Sequence, residues 1–188
     1  MSLRLTPLRL ATALALTLAA GSARAQSPGL TMRVEQQVVR GSPVRRASVV
    51  AEYPAPFQRV AAQLLNYSGY PTFLHRFRSA RVIHRNRAVT DVYFDVDLPE
   101  SLGRFWFLHR MTVTRRPDLL IIDGVSREGN AGLVETHVEL RRTPTGCRFS
   151  FSLYALPTVP ALPDSVSQLL RRAVEDGAQS LLRVAQTP

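Results

Sequence analysis

A succession of period-two segments closing on one period-3.6 segment constrains this chain more than anything else in it. In 88–98, Thr90, Val92, Phe94, Val96 and Leu98 alternate with Asp91, Tyr93, Asp95 and Asp97. In 104–114 the odd positions hold Phe105, Phe107, His109, Met111 and Val113, and the even ones include Arg104, Arg110, Thr112 and Thr114. Val134, Thr136, Val138 and Leu140 alternate with Glu135, His137, Glu139 and Arg141 in 132–142. Cys147, Phe149, Phe151, Leu153 and Ala155 alternate with Arg148, Ser150, Ser152 and Tyr154 in 147–155. Strict alternation over such lengths marks strands with one dry and one wet face. Pro117-Asp118, Gly129-Asn130-Ala131-Gly132 and Pro144-Thr145-Gly146 supply the turns between them. After three prolines, Asp164-Ser165 offers a helix N-cap. Val166, Leu169, Leu170, Ala173, Val174, Gly177, Ala178, Leu181, Leu182 and Ala185 then recur every three or four residues. This is one apolar stripe on a helix of ~20 residues, ~30 Å long.

The remaining segments fill in the order. Ala47, Val49, Ala51 and Tyr53 define a half-buried strand over 44–53, ended by Pro54-Ala55-Pro56. A short helix is predicted over Phe57 to Leu65, and a second helical turn over Tyr70 to Leu74, entered through Pro71. Residues 79–86 read as a polar, edge-like strand, and 119–125 as a continuous apolar run. The class is therefore α+β: a strand, two short helices, about six antiparallel strands in meander, and a long C-terminal helix. A meander must cover its dry face, and only the last helix offers a long apolar surface to cover it. The expected architecture is a curved antiparallel sheet of six to seven strands around that helix.

Over residues 44–186 this layout resembles the helix-grip fold of the START-like (SRPBCC) superfamily, which includes polyketide cyclase/dehydrase-like and coenzyme Q-binding proteins. The resemblance is carried by Pro54-Ala55-Pro56-Phe57-x-x-Val60, by Tyr70-Pro71-x-Phe73-Leu74 and by Leu162-Pro163 at the last helix. It implies a deep apolar cavity for a lipid or another hydrophobic molecule between sheet and helix.

Residues 1–25 have the form of a secretory signal peptide. Arg4 and Arg9 precede an uncharged apolar stretch from Leu10 to Ala20, and Ala23-Arg24-Ala25 is an A-x-A cleavage site. That stretch is short for a span of a ~30 Å hydrocarbon core. The expected compartment is the periplasm or the cell exterior, with 26–43 as a tether or edge strand and 44–188 as one domain, expected as a monomer. The chain contains no lysine; all 24 of its cations are arginines, against 14 acids. Without residues 1–25 the charge is +7, with 21 arginines remaining. These arginines are scattered, five of them within 76–87, and no run of interleaved aromatics and basics offers stacking to single-stranded nucleic acid. No nucleic-acid partner is expected; transient attraction to an anionic membrane surface is. A single cysteine excludes an internal disulfide framework.

The helix stripe includes Ala173 and Gly177, small residues that leave room beneath them, and a mid-helix glycine costs about 1 kcal/mol relative to alanine. The sheet offers Phe94, Phe105, Phe107, Met111, Ile121, Phe149 and Phe151 opposite. Aromatic rings facing small residues could interlock into a solid core or border a cavity. A binding cavity needs mostly apolar walls and a few polar groups for orientation. His109 is the best such group and Thr136 the second; a satisfied core histidine is the alternative reading. Signals for catalysis are weak. His75, His84 and His137 lack metal-ligand spacing. Ser126 follows a strand and precedes a hairpin turn, so it has no nucleophile-elbow context. Asp91, Asp95 and Asp97 read as a wet face, and Cys147 as an inert buried thiol. No metal and no cofactor is expected. The open choices are a non-catalytic carrier of a hydrophobic ligand, a cyclase- or dehydratase-like enzyme using His109, and a partner-binding domain without a cavity.

Overall fold

The computed structural model describes residues 31–98, 103–158 and 160–186. The signal-like segment 1–25 lies outside the described residues. The elements run β1 (Met32–Val38), β2 (Arg45–Tyr53), α1 (Phe57–Leu65), a 3₁₀ segment (Tyr67–Thr72), β3 (Phe77–Arg85), β4 (Val89–Asp97), β5 (Arg104–Arg116), β6 (Leu119–Gly129), β7 (Leu133–Thr143), β8 (Gly146–Leu156) and α2 (Pro163–Gln186). Among the described residues they form one eight-stranded sheet in the order β1-β2-β8-β7-β6-β5-β4-β3. Each neighbouring pair is antiparallel. The strand beyond the expected six to seven is β1, which pairs with β2 from Met32↔Ala51 to Val38↔Arg45.

The order explains the shape. From β3 to β8 the chain is a plain meander, and β8 returns to pair with β2 through Val49↔Phe151 and Ala51↔Phe149. The link from β2 to β3 joins opposite sides of the sheet and carries α1 and the 3₁₀ segment. Helix α1 buries Phe57, Val60, Ala61 and Leu64, the i, i+3, i+4, i+7 face that its sequence marks as apolar. Pro56 precedes α1 and Asn66 follows it, with the Asn66 N–H donating back to the carbonyls of Ala62 and Gln63.

Helix α2 covers the inner face. Val166, Leu170, Val174, Ala178, Leu181 and Ala185 are buried in the same core as Ala47, Val49, Ala51 and Tyr53 of β2. Fully burying one such aliphatic side chain contributes about 1.5–3 kcal/mol, so this seam is the main cohesive term between helix and sheet. Polar contacts fix its position along the sheet. The Tyr53 hydroxyl donates to the Ala178 carbonyl at 2.7 Å in the buried interior. At the helix start, the Arg45 N–H donates to Ser167 Oγ at 3.0 Å and Gln36 Nε2 to the Ser167 carbonyl at 2.8 Å.

The outer face of β4 corrects one expectation. Asp97 is half-exposed, but Asp91 and Asp95 are buried. Arg110 on β5 forms a two-pronged pair with Asp91, both bonds at 2.8 Å, and Arg104 pairs with Asp95 in the same way. Beside these pairs on the same face, the Tyr93 ring stacks on Trp106. Those hydrogen bonds hold both carboxyls below the usual carboxylate range. They tie β4 to β5 and are not placed for acid–base work.

Tyr53→Phe tests the polar anchor. Removing this buried hydroxyl is expected to lower stability by about 0.5–1.5 kcal/mol in urea denaturation. An unchanged midpoint would mean that packing alone seats α2.

Candidate functional site

A cavity of about 270 Å³ lies between the inner face of the sheet and α2, just below the ~300–1,000 Å³ usual for small-molecule sites. Its floor is Phe94 of β4, Phe105, Phe107 and Met111 of β5, and Phe149 and Phe151 of β8. Its roof includes Ala173 and Gly177 of α2. His109 and Thr136 stand in the same wall. Ten of the eleven residues singled out from the sequence thus meet around one hollow.

Ile121 does not. It pairs with Thr114 on β5 and Glu139 on β7, which places it on the outer face, while Leu120 and Ile122 point inward and are buried. The run 119–122 is apolar at every position, so alternation could not tell its two faces apart.

One end of the cavity comes from a segment that the sequence marks only as a second short helical turn. Tyr70 and Phe73 of the 3₁₀ region line the hollow. The Tyr70 ring stacks on Phe94 at 5.8 Å and meets Phe73 and Phe77 edge-on at 5.6 and 6.0 Å. Its hydroxyl donates to the Leu64 carbonyl at 2.8 Å, which binds the segment to α1. The spacing of Tyr70, Phe73 and Phe77 was the available signal.

The polar feature of the cavity spans three strands. His109 Nε2 and Thr136 Oγ1 are 2.9 Å apart, linking β5 to β7 above β6. The residue beneath this bridge is Gly124, paired with Met111 on one side and Thr136 on the other. A Cβ at Gly124 would run into His109 Nε2 and Thr136 Oγ1, so only glycine leaves space for the bridge. A register shift between Leu108 and His109 falls at the same place, as β-bulges often do where a strand re-aims a side chain. Gly124 falls near the end of the apolar run 119–125, and a glycine inside such a strand run is the sign of close approach.

His109 is 1% exposed, and burial pushes its pKa down to about 4, so the ring is neutral at neutral pH. Its Nδ1 is buried and has no hydrogen-bond partner. No carboxylate among the described residues orients the ring, in contrast to the His137 Nδ1–Asp123 pair at 2.7 Å, which lies exposed on the outer face. Cys147 is fully buried, and desolvation raises its thiol to about 11, which keeps it protonated at neutral pH. No group of three or more His, Cys, Asp or Glu with metal-site geometry occurs among the described residues.

No protein-family model matches the chain, and no curated protein matches it in sequence. Its backbone does match solved structures. A STAR-related lipid transfer protein from Xanthomonas axonopodis superposes with a TM-score of 0.75 at 12% identity, covering 83% of this chain and 94% of that one. The fold is a START-like helix grip. Human STARD10 has a TM-score of 0.72 at 12% identity, covering 83% of this chain and 71% of its own. An aromatase/cyclase from a Streptomyces species shares the same helix grip, with a TM-score of 0.61 at 12% identity over 82% of this chain and 94% of that one.

Two glycines of this helix grip should respond oppositely to alanine. At Gly124 the added methyl overpacks the His109–Thr136 bridge, with an expected loss of about 1–3 kcal/mol. At Gly177 a Cβ meets nothing within 4 Å, and the gain in helix propensity is about 1 kcal/mol. Thermal unfolding of the two variants reads both signs.

His109 should also leave a mark on acid stability. Its pKa is 6.5 as an ordinary histidine and about 4 in the fold. As pH falls, the unfolded chain takes up this proton first, so stability is lost between those two values, by about 3 kcal/mol. His109→Gln should remove this slope; urea midpoints from pH 7 to 4 in both proteins measure it.

Proposed function

We propose that this protein is an exported binder, and carrier, of a lipid or another hydrophobic small molecule held between the sheet and α2. The observation that carries the reading is the apolar cavity with one orphaned polar atom in its wall, His109 Nδ1. An unpartnered buried polar atom costs about 1–3 kcal/mol. A ligand with an apolar body and one hydrogen-bonding group would remove that cost and fill the hollow. The gap above Gly177 gives such a body somewhere to lie. The fold's likeness to a protein named for lipid transfer supports the same class of ligand. The signal-like segment 1–25 supports export, and the +7 charge of the remainder supports encounters with anionic membrane surfaces.

The likeness to an aromatase/cyclase, together with a histidine in the cavity, favours a second reading: a cyclase- or dehydratase-like enzyme acting on an aromatic or polyketide-type substrate. A neutral imidazole with a depressed pKa and no orienting carboxylate is a weak general base. That weighs toward the carrier.

Binding of a fluorescent fatty acid, and mass spectrometry of molecules extracted from the purified protein, test the proposal. Gly177→Leu should fill the hollow and weaken binding at least about tenfold, or about 1.4 kcal/mol, without unfolding the chain. His109→Phe should keep most of the apolar binding energy in a carrier, whereas an enzyme of the second kind would lose its turnover entirely. A lipid-free preparation that takes up no probe refutes the cavity's role in binding.

A further inference from the structure

A second cleft, of about 420 Å³, opens where the C-terminal end of α1 meets the turn between β3 and β4. It shares no lining residue with the apolar cavity. Its walls hold Tyr67, Thr90 and three arginines: Arg85 at the end of β3, Arg87 in the turn, and Arg115 on β5. Among the described residues, no acidic side chain lines it.

The arginines of this cleft lack the carboxylate neighbours that several others on the sheet have. Arg46, Arg104, Arg110 and Arg141 each lie against a carboxylate. Arg85, Arg87 and Arg115 take part in no ion pair among the described residues. Three guanidiniums left facing one cleft repel one another unless a counter-ion joins them. Tyr67 stands in the same wall. The residue is 2% exposed, and its hydroxyl has no hydrogen-bond partner. The charges of Arg85 and Arg115 act on that hydroxyl, opposing the rise in its pKa caused by burial. The cleft therefore brings together forked N–H donors, an O–H donor in want of an acceptor, and no negative charge of its own.

We propose that this cleft binds a phosphate group, either free or as the headgroup of an amphiphile. A phosphate presents several acceptor oxygens and up to two negative charges, which suits convergent guanidiniums better than a single carboxylate would. Arg85 and Arg115 supply bidentate donors, Arg87 adds a donor from the turn, and the Tyr67 hydroxyl donates to an oxygen that reaches the cleft floor. The site does not depend on the apolar cavity, and its test does not involve a hydrophobic ligand.

Calorimetric titration of the full chain with inorganic phosphate, and flotation with phosphatidylcholine vesicles with and without phosphatidic acid, separate the two sources. Phosphate binding marks a free-anion site; binding only to vesicles that contain phosphatidic acid marks a headgroup site. In either case Arg85→Gln/Arg115→Gln should weaken binding at least about tenfold. Arg171→Gln/Arg172→Gln, which removes the same charge from α2, should leave it nearly unchanged. Tyr67→Phe should fold at least as stably, since it deletes an unpartnered hydroxyl, yet bind several-fold less tightly. Binding to neither probe, equal losses in the two double variants, or full affinity in Tyr67→Phe overturns the proposal.

Discussion

The whole arrangement depends on the inner face of the sheet having a single long cover. An antiparallel sheet with one dry face is stable only when that face is sealed from water. Helix α2 seals it along a seam in which Val174, Ala178, Leu181 and Ala185 meet the inner residues of β2. Seam packing sets how closely helix and strand approach, and the hydrogen bond from Tyr53 to Ala178 sets where along the strand they meet. Only because the seam runs along β2 can the helix stand off from β4 and β5, where the rings of Phe94 and Phe107 lie. The hollow is what remains when one rod covers a curved surface wider than itself.

Its chemistry follows from where polar groups were placed and where side chains were withheld. Nearly everything around the hollow is hydrocarbon or aromatic ring, so the His109–Thr136 bridge is a rare polar mark on a featureless wall. Gly124 makes the bridge possible by leaving β6 bare beneath it, and Gly177 leaves the roof bare above. The two glycines act by different means. One admits neighbouring side chains of the protein itself; the other leaves a space that none of them fills.

Much of this was written in the local pattern. The alternation in β4, β5, β7 and β8 specified which side chains face inward, because a strand with one wet face has only one consistent register. The stripe on α2 specified its buried face in the same way. Ile121 shows where the rule stops: in an apolar run there is no wet position to fix the parity. Asp91 and Asp95 show another limit, since alternation marks them as outer-face residues but says nothing of the arginines that fold over them from β5. The 3₁₀ segment joins the cavity by a long crossover whose path depends on the whole sheet, and the unpartnered atoms of Tyr67 and His109 emerge only when their neighbours from other elements are in place.

The pairing of β2 with β8 has a temporal side. The two strands lie about a hundred residues apart in the chain, and the Tyr53–Ala178 contact spans 125. A chain emerging from its N-terminus makes β2 long before its partner strand or its covering helix exists. Contacts of such sequence separation form late and slowly. The contacts within the meander from β3 to β7 are local, but the chamber is completed by the last segment to appear. Any guest of the hollow would therefore be acquired by the finished protein, or at its final closure, rather than serve as a template for the earlier steps.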